Sequence, residues 1–259
     1  MSNTSRRNFI SLSAILAATA AFTPRHVLAG SDSLYTPITN KNLVFLFQGD
    51  SITDGSRGRN TDPNHIMGHG YAYGVSSRIA ADFAENNFTF YNRGISGNKL
   101  PDLQKRWQTD TLALNPDVLS ILIGINDVYV IVNEPEIAQS AEKFESGYRD
   151  ILQQSKTAKP DILFVLGLPF IYPVGKVKDN WELWFTEVEK RKEIIKKLAI
   201  EFNAVLIDYP SVFDKAFKRR SADYWIWDGA HPTIAGHELM AREWIKQVSA
   251  RLKFLRKIK

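Results

Sequence analysis

Leu43-Val44-Phe45-Leu46-Phe47-Gln48-Gly49-Asp50-Ser51-Ile52-Thr53-Asp54-Gly55 is the stretch on which the fold turns. Its first half is apolar without alternation, so both faces of a strand over Leu43–Gln48 must be covered, as in a parallel sheet flanked by helices. Gly49 and Gly55 permit sharp turns. Between them Ser51 emerges just beyond the strand, at the carboxyl edge of the sheet. Taken alone, this is equally a polar turn. A serine hydroxyl becomes a useful nucleophile only when a base is near enough to take its proton.

Four more apolar runs read as buried strands: Phe88–Asn92, Val118–Gly124, Ile162–Leu168 and Ala204–Ile207. They are short, free of Pro, and rich in β-branched or aromatic residues. Helical patterns lie between them, over Gly74–Glu85, Leu100–Leu114, Ala138–Lys156 and Trp181–Phe202, with a last one from about Thr233 to Leu255. Ala141, Phe144, Tyr148, Ile151 and Leu152 repeat every three to four residues. Strands alternating with helices predict a doubly wound α/β sandwich, whose reactive groups gather where strands end and loops begin.

Of the 259 residues, 44% are hydrophobic and 24% charged, without repeats or a second composition block, which predicts one domain. Residues 1–29 read as an address. Arg6 and Arg7 precede an apolar run from Phe9 to Phe22, and Val27 and Ala29 suit cleavage before Gly30. Ser5-Arg6-Arg7-Asn8-Phe9-Ile10 resembles a twin-arginine signal, which predicts a periplasmic or secreted protein over residues 30–259. An uncleaved anchor is the alternative, but the apolar run is shorter than a spanning helix and contains Ser11 and Ser13. No stable membrane insertion is expected after cleavage.

The absence of cysteine rules out disulfides, thiolate nucleophiles and cysteine-based metal sites. The net charge of +5 falls to about +2 without Arg6, Arg7 and Arg25, and no nucleic-acid motif is present. A Gly-x-Ser-x-Gly elbow and glycine-rich phosphate loops are also missing.

Among five histidines, His26 lies in the export segment and His237 inside the last helix, where it reads as a surface residue. His65 and His69 are four apart, but in a loop with Pro63, Gly68 and Gly70, so neither a metal nor a cofactor is expected. His231 remains, in the turn Trp227-Asp228-Gly229-Ala230-His231-Pro232-Thr233. Asp228, three residues upstream, can reach the ring nitrogen facing away from the serine, fixing the tautomer and stabilising an imidazolium. For a developing oxyanion, the candidate donors are the amides of Ser51 and Gly94 and the side chain of Asn126, the last two following the second and third strands.

Gly49-Asp50-Ser51, Gly94, Gly124-x-Asn126-Asp127 and Asp228-x-x-His231, in this order, resemble the four blocks of the SGNH (GDSL-like) hydrolases across nearly the whole chain after residue 29. The resemblance implies a flavodoxin-like three-layer α/β/α sandwich on a five-stranded parallel sheet. It also implies metal-free ester hydrolysis through an acyl-enzyme on Ser51. Asn92–Gly97 and Ile121–Tyr129 look like a branch associated with carbohydrates, and rhamnogalacturonan and xylan acetylesterases belong to the wider family.

The expected substrate is therefore a small acyl ester, acetyl above all, on a glycan or another small molecule. A lysophospholipase or thioesterase on the same scaffold is the enzymatic alternative; a glycan-binding protein without catalysis is the other. Arg57 and His69, in the polar loop Ser56–Tyr73, and Trp225 and Trp227, flanking the Asp228 turn, are candidates for contact with substrate. Trp181 and Trp184 form a second aromatic cluster that can serve either substrate or core.

Overall fold

The computed structural model describes residues 41–258. The export segment expected over residues 1–29 lies outside the described residues. The chain runs through β1 (Val44–Gly49), α1 (Ser51–Asp54), α2 (Tyr71–Asp82), β2 (Thr89–Asn92), α3 (Leu100–Asp110), β3 (Val118–Leu122) and α4 (Ile125–Asn133). It continues through α5 (Ala141–Ala158), β4 (Leu163–Gly167), α6 (Trp181–Glu201), β5 (Val205–Ile207), α7 (Tyr209–Phe217), α8 (Ala222–Trp225) and α9 (Ile234–Val248).

All five strands are parallel, in the order β2-β1-β3-β4-β5. This is the expected sheet, with β1 shifted by one residue and the other strand ends trimmed by one or two. Alternate side chains feed two apolar layers. Phe45, Phe47, Val118, Val165 and Ile207 pack with residues of α2, α7 and α9 on one face. Leu46, Leu119, Ile121, Phe164 and Leu166 pack with α3, α5 and α6 on the other. Each strand is thus covered on both sides, which explains why none alternates with polar residues.

Buried polar groups in the sheet are paired. The Gln48 amide donates to Asp110 O and Thr111 Oγ1, both at 2.8 Å, and accepts from Arg106 Nη1 at 2.9 Å. Trp244 Nε1 of α9 donates to Ser120 Oγ of β3 at 3.0 Å, which locks the last helix to the central strands.

β1 connects outward to β2, and the chain then returns to β3 on the other side of β1. In this order the direction reverses between β1 and β3, and the crevice beyond their carboxyl ends is where such sheets bind ligands. Ser51 follows β1 and Asn126 follows β3 directly into that crevice.

Three elements go beyond the expectations. α4, α7 and α8 lie outside the helical patterns expected from the sequence: Ile125–Val132 is rich in β-branched residues, and α7 opens at Tyr209-Pro210 immediately after β5. The last helix ends at Val248, and a 3₁₀ turn over Lys253–Lys257 follows. Among the described residues no helix is long and apolar enough to cross a membrane.

Candidate active site

Gly49 ends β1 where a Cβ would stand 2.3 Å from Leu122 O of the neighbouring strand, so only glycine lets the two backbones approach this closely. Asp50 then caps α1, its Oδ1 accepting from Ile52 N at 3.0 Å. Ser51 is the first residue of α1, where an amide has no carbonyl of its own helix to bond.

The Ser51 hydroxyl lies 2.7 Å from His231 Nε2. On the other side of the ring, Nδ1 lies 2.6 Å from Asp228 Oδ2. Asp228 Oδ1 accepts from the amides of Ala230 at 3.0 Å and His231 at 2.7 Å, so the Asp-x-x-His turn is closed by the same carboxylate that holds the ring. Hydroxyl and imidazole, 180 residues apart in sequence, and the carboxylate three residues before the imidazole form one hydrogen-bonded chain.

Its electrostatics suit proton transfer. The hydrogen bond to Asp228 raises His231 above an ordinary histidine; burial opposes this and the charges of Asp228 and Asp50 add to it. Burial alone would raise Asp228, but hydrogen bonds from the His231 ring and amide and from the Ala230 amide outweigh it, so the carboxyl is held below its usual range. Asp50 is fully buried, and burial pushes it up to about 7; its Oδ2 has no hydrogen-bond partner among the described residues. Asp127 is pushed up to about 6 by burial, while both its oxygens accept from Leu100 N at 3.2 Å, tying α4 to the start of α3.

Gly94 does not do what its sequence suggests. Its amide donates to Asn92 Oδ1 at 2.9 Å, and its Cα is pressed against α1, where a Cβ would meet Asp54 N at 2.4 Å. The Asn92 side chain in turn donates to Thr53 O at 2.7 Å. Gly94 is therefore a packing glycine with a committed N–H, not a donor to the site. Three residues on, Gly97 has φ +80°, open space where a side chain would be, and no acceptor for its N–H among the described residues. It precedes Asn98, whose carbonyl accepts from Asn126 Nδ2 at 3.1 Å. That bond uses one amide hydrogen of Asn126 and leaves the other for a ligand.

A cavity of about 430 Å³ opens on Ser51 and His231. Its lining includes Asn126 and Tyr129 of α4, Trp184 of α6, the apolar Ile125, Ile171 and Val177, and Lys176, Asp179 and Asn180 of a 3₁₀ turn over Gly175–Asn180. The expected contacts in the Ser56–Tyr73 loop do not line it. Arg57 is turned inward, its Nε donating to Gly94 O at 2.9 Å, and Arg59 pairs with Asp54 Oδ2 at 2.6 Å. His69 is exposed outside the cavity, near His237.

Trp225 is only 6% exposed and belongs to the core. Trp227 is exposed and packs parallel to the His231 ring, with centroids 6.1 Å apart, without entering the cavity wall. His237 is half-buried rather than free on the helix surface: its Nδ1 accepts from Tyr71 N at 3.1 Å, and burial lowers it to about 4. Among the described residues no group of three or more His, Asp or Glu is arranged to hold a metal ion.

The model of the GDSL-like lipase/acylhydrolase family matches residues 47–239. The chain belongs to this family.

Like other members of the GDSL-like family, it is a carboxylic ester hydrolase of the serine type. An acetylxylan esterase from Geobacillus stearothermophilus is 31% identical over 208 residues, covering 78% of this chain and 92% of the relative. A crystal structure of that bacterium's acetylxylan esterase Axe2 superposes with a TM-score of 0.70 at 30% identity, covering 80% of this chain and 94% of Axe2. A protein described as a GDSL-like lipase from Parabacteroides merdae gives a TM-score of 0.77 at 36% identity, covering 83% and 99%.

Proposed function

We propose that this GDSL-like hydrolase is an exported esterase that removes acetyl groups from carbohydrates through an acyl-enzyme on Ser51. The observation that carries the reading is the chain from Ser51 Oγ through the His231 ring to Asp228, at 2.7 and 2.6 Å, opening on a cavity with a polar wall. The likeness to an acetylxylan esterase supports the choice of acyl group and alcohol. The Arg6-Arg7 segment supports export.

In this mechanism His231 Nε2 takes the Ser51 proton as Oγ attacks the ester carbonyl. Asp228 stabilises the imidazolium. The Ser51 amide, the second amide hydrogen of Asn126 and the Gly97 amide bind the oxyanion, with Gly97 in the role that Gly94 cannot take. His231 then protonates the leaving sugar oxygen, and the sugar departs. Water, deprotonated by the same ring, attacks the acetyl-serine and releases acetate, restoring the hydroxyl.

The test is acetate release from acetylated xylo-oligosaccharides and from an aryl acetate, with Ser51→Ala as control. Turnover by the native protein and a loss of at least about 10⁴-fold in the variant are expected. Retained turnover by a clean, folded variant would overturn the assignment of Ser51.

A further inference from the structure

The geometry points to a sugar subsite beside Ser51, in which Lys176, Asp179 and Asn180 together with Tyr129 bind an uncharged pyranose ring of the glycan that bears the ester. The inference rests on the esterase reading above and extends it to the alcohol side of the substrate.

Three observations carry it. First, the side chains of Lys176, Asp179 and Asn180 are exposed at the cavity, and none forms a hydrogen bond or ion pair with another described residue. On this turn an ammonium, a carboxylate and an amide keep their full hydrogen-bonding capacity within five residues of sequence. Together they offer donors and acceptors in the mixture that vicinal hydroxyls require.

Second, the same cavity is lined by aromatic rings. Tyr129 is 47% exposed, and its ring packs at a tilt on that of Trp184, 6.1 Å away between centroids. Such rings suit the C–H face of a pyranose, and Tyr brings large contact area at little cost in rotamer entropy.

Third, the polar wall is fixed to the catalytic turn. Tyr172 N donates to Gly229 O at 2.9 Å. Gly229 is packed so tightly on this segment that an added Cβ would stand 2.7 Å from Val177 Cγ2 and 2.9 Å from Val174 O. The turn bearing Lys176, Asp179 and Asn180 is thereby held against the Asp228-Gly229 backbone, in fixed register with His231. A ring bound there presents its ester to Ser51 with little freedom left to lose, which is how remote contacts lower a barrier. The cavity of about 430 Å³ is far larger than an acetyl group needs and falls within the range of sites that hold a small organic ligand.

The experiment compares kcat and KM of the full-length protein with those of Lys176→Ala, Asp179→Ala and Tyr129→Ala. Acetylated xylo-oligosaccharides and 4-nitrophenyl acetate are the two substrates. Each variant is expected to lose at least about tenfold more kcat/KM on the oligosaccharide than on the aryl ester, mainly through KM. Equal losses on both substrates, or none on either, overturn the subsite while the esterase reading stands. If the native protein cleaves the aryl ester but no acetylated oligosaccharide, the glycan reading falls and the subsite with it. Thermal melting of each variant separates loss of fold from loss of contact.

Discussion

Asp228 grips His231 twice: one carboxylate oxygen lies 2.6 Å from Nδ1 of the ring, and the other accepts the residue's own amide at 2.7 Å. The first contact fixes which ring nitrogen faces Ser51. The second makes the carboxylate part of the turn, so ring and acid move as one unit.

The pH dependence follows from this pair. His231 accepts a proton only when neutral, and Asp228 raises its pKa above the 6.5 of an ordinary histidine. kcat/KM on an aryl acetate should therefore rise with pH through a midpoint above 6.5. Asp228→Asn removes the largest cause of the shift, so the midpoint should move to lower pH while kcat falls by about 10⁴. A midpoint that stays put in the variant would mean that another group sets it.

Asn126 and Gly94 should respond differently to alanine. Asn126→Ala removes an oxyanion donor and is expected to lower kcat by roughly 10²–10³ with an unaltered melting temperature. Gly94→Ala drives a Cβ to 2.4 Å from Asp54 N, so destabilisation is expected before any specific loss of kcat. Calorimetry alongside steady-state rates distinguishes the two, and a Gly94→Ala protein that melts normally but is slow would restore that amide to the site.

Asp50 should exchange stability for activity. Burial raises its carboxyl from 3.8 to about 7, so the folded state holds this proton more tightly than the unfolded state. Its contribution to stability is full below pH 4 and is lost as pH rises to about 7. Asp50→Asn stays neutral throughout. At pH 8 it should melt roughly 3–6 °C higher than the native protein, the shift that ~1–2 kcal/mol gives in a chain of this size. It should also be slower, because the imidazolium of His231 loses a neighbouring negative charge. Parallel melts at pH 5 and pH 8 provide the check; a gap that does not widen with pH would refute the burial argument.

His237 acts in the opposite sense. Its folded value of about 4 lies below the usual 6.5, because the ring is buried and its Nδ1 must stay unprotonated to accept from Tyr71 N. The unfolded chain takes up this proton first on acidification, so stability falls between pH 6.5 and about 4, by up to about 3 kcal/mol. His237→Asn keeps an acceptor for Tyr71 but cannot titrate, and should show a shallower acid limb in its melting curve. An equally steep limb would assign the acid sensitivity elsewhere.

The sheet was legible because each strand is covered on both faces, which leaves an unbroken apolar run in the sequence. Ser51, Asp228 and His231 were legible because short turns at strand and helix ends bring their own residues into register. The division of labour between Gly94 and Gly97 was not. Both lie in one strand-ending turn, and only the side chain of Asn92, three-dimensionally beside Gly94, decides whose amide is consumed. The Ser56–Tyr73 loop has the composition of a binding loop, but Arg57 turns inward to Gly94 O and the exposed Arg59 is held by Asp54. The wall that does face the cavity carries no periodicity or motif. Lys176, Asp179 and Asn180 gain meaning only when their turn docks on Gly229, a long-range contact invisible in a linear reading.

Trp244 fastens the final helix to Ser120 in the middle of the sheet, and His231 stands just ahead of that helix. The nucleophile stands at the end of the first strand, yet its base is delivered by a segment that follows the fifth. A molecule in which that segment is not docked has a hydroxyl without a ring beside it, so ester turnover counts only molecules whose sheet and final helix are joined.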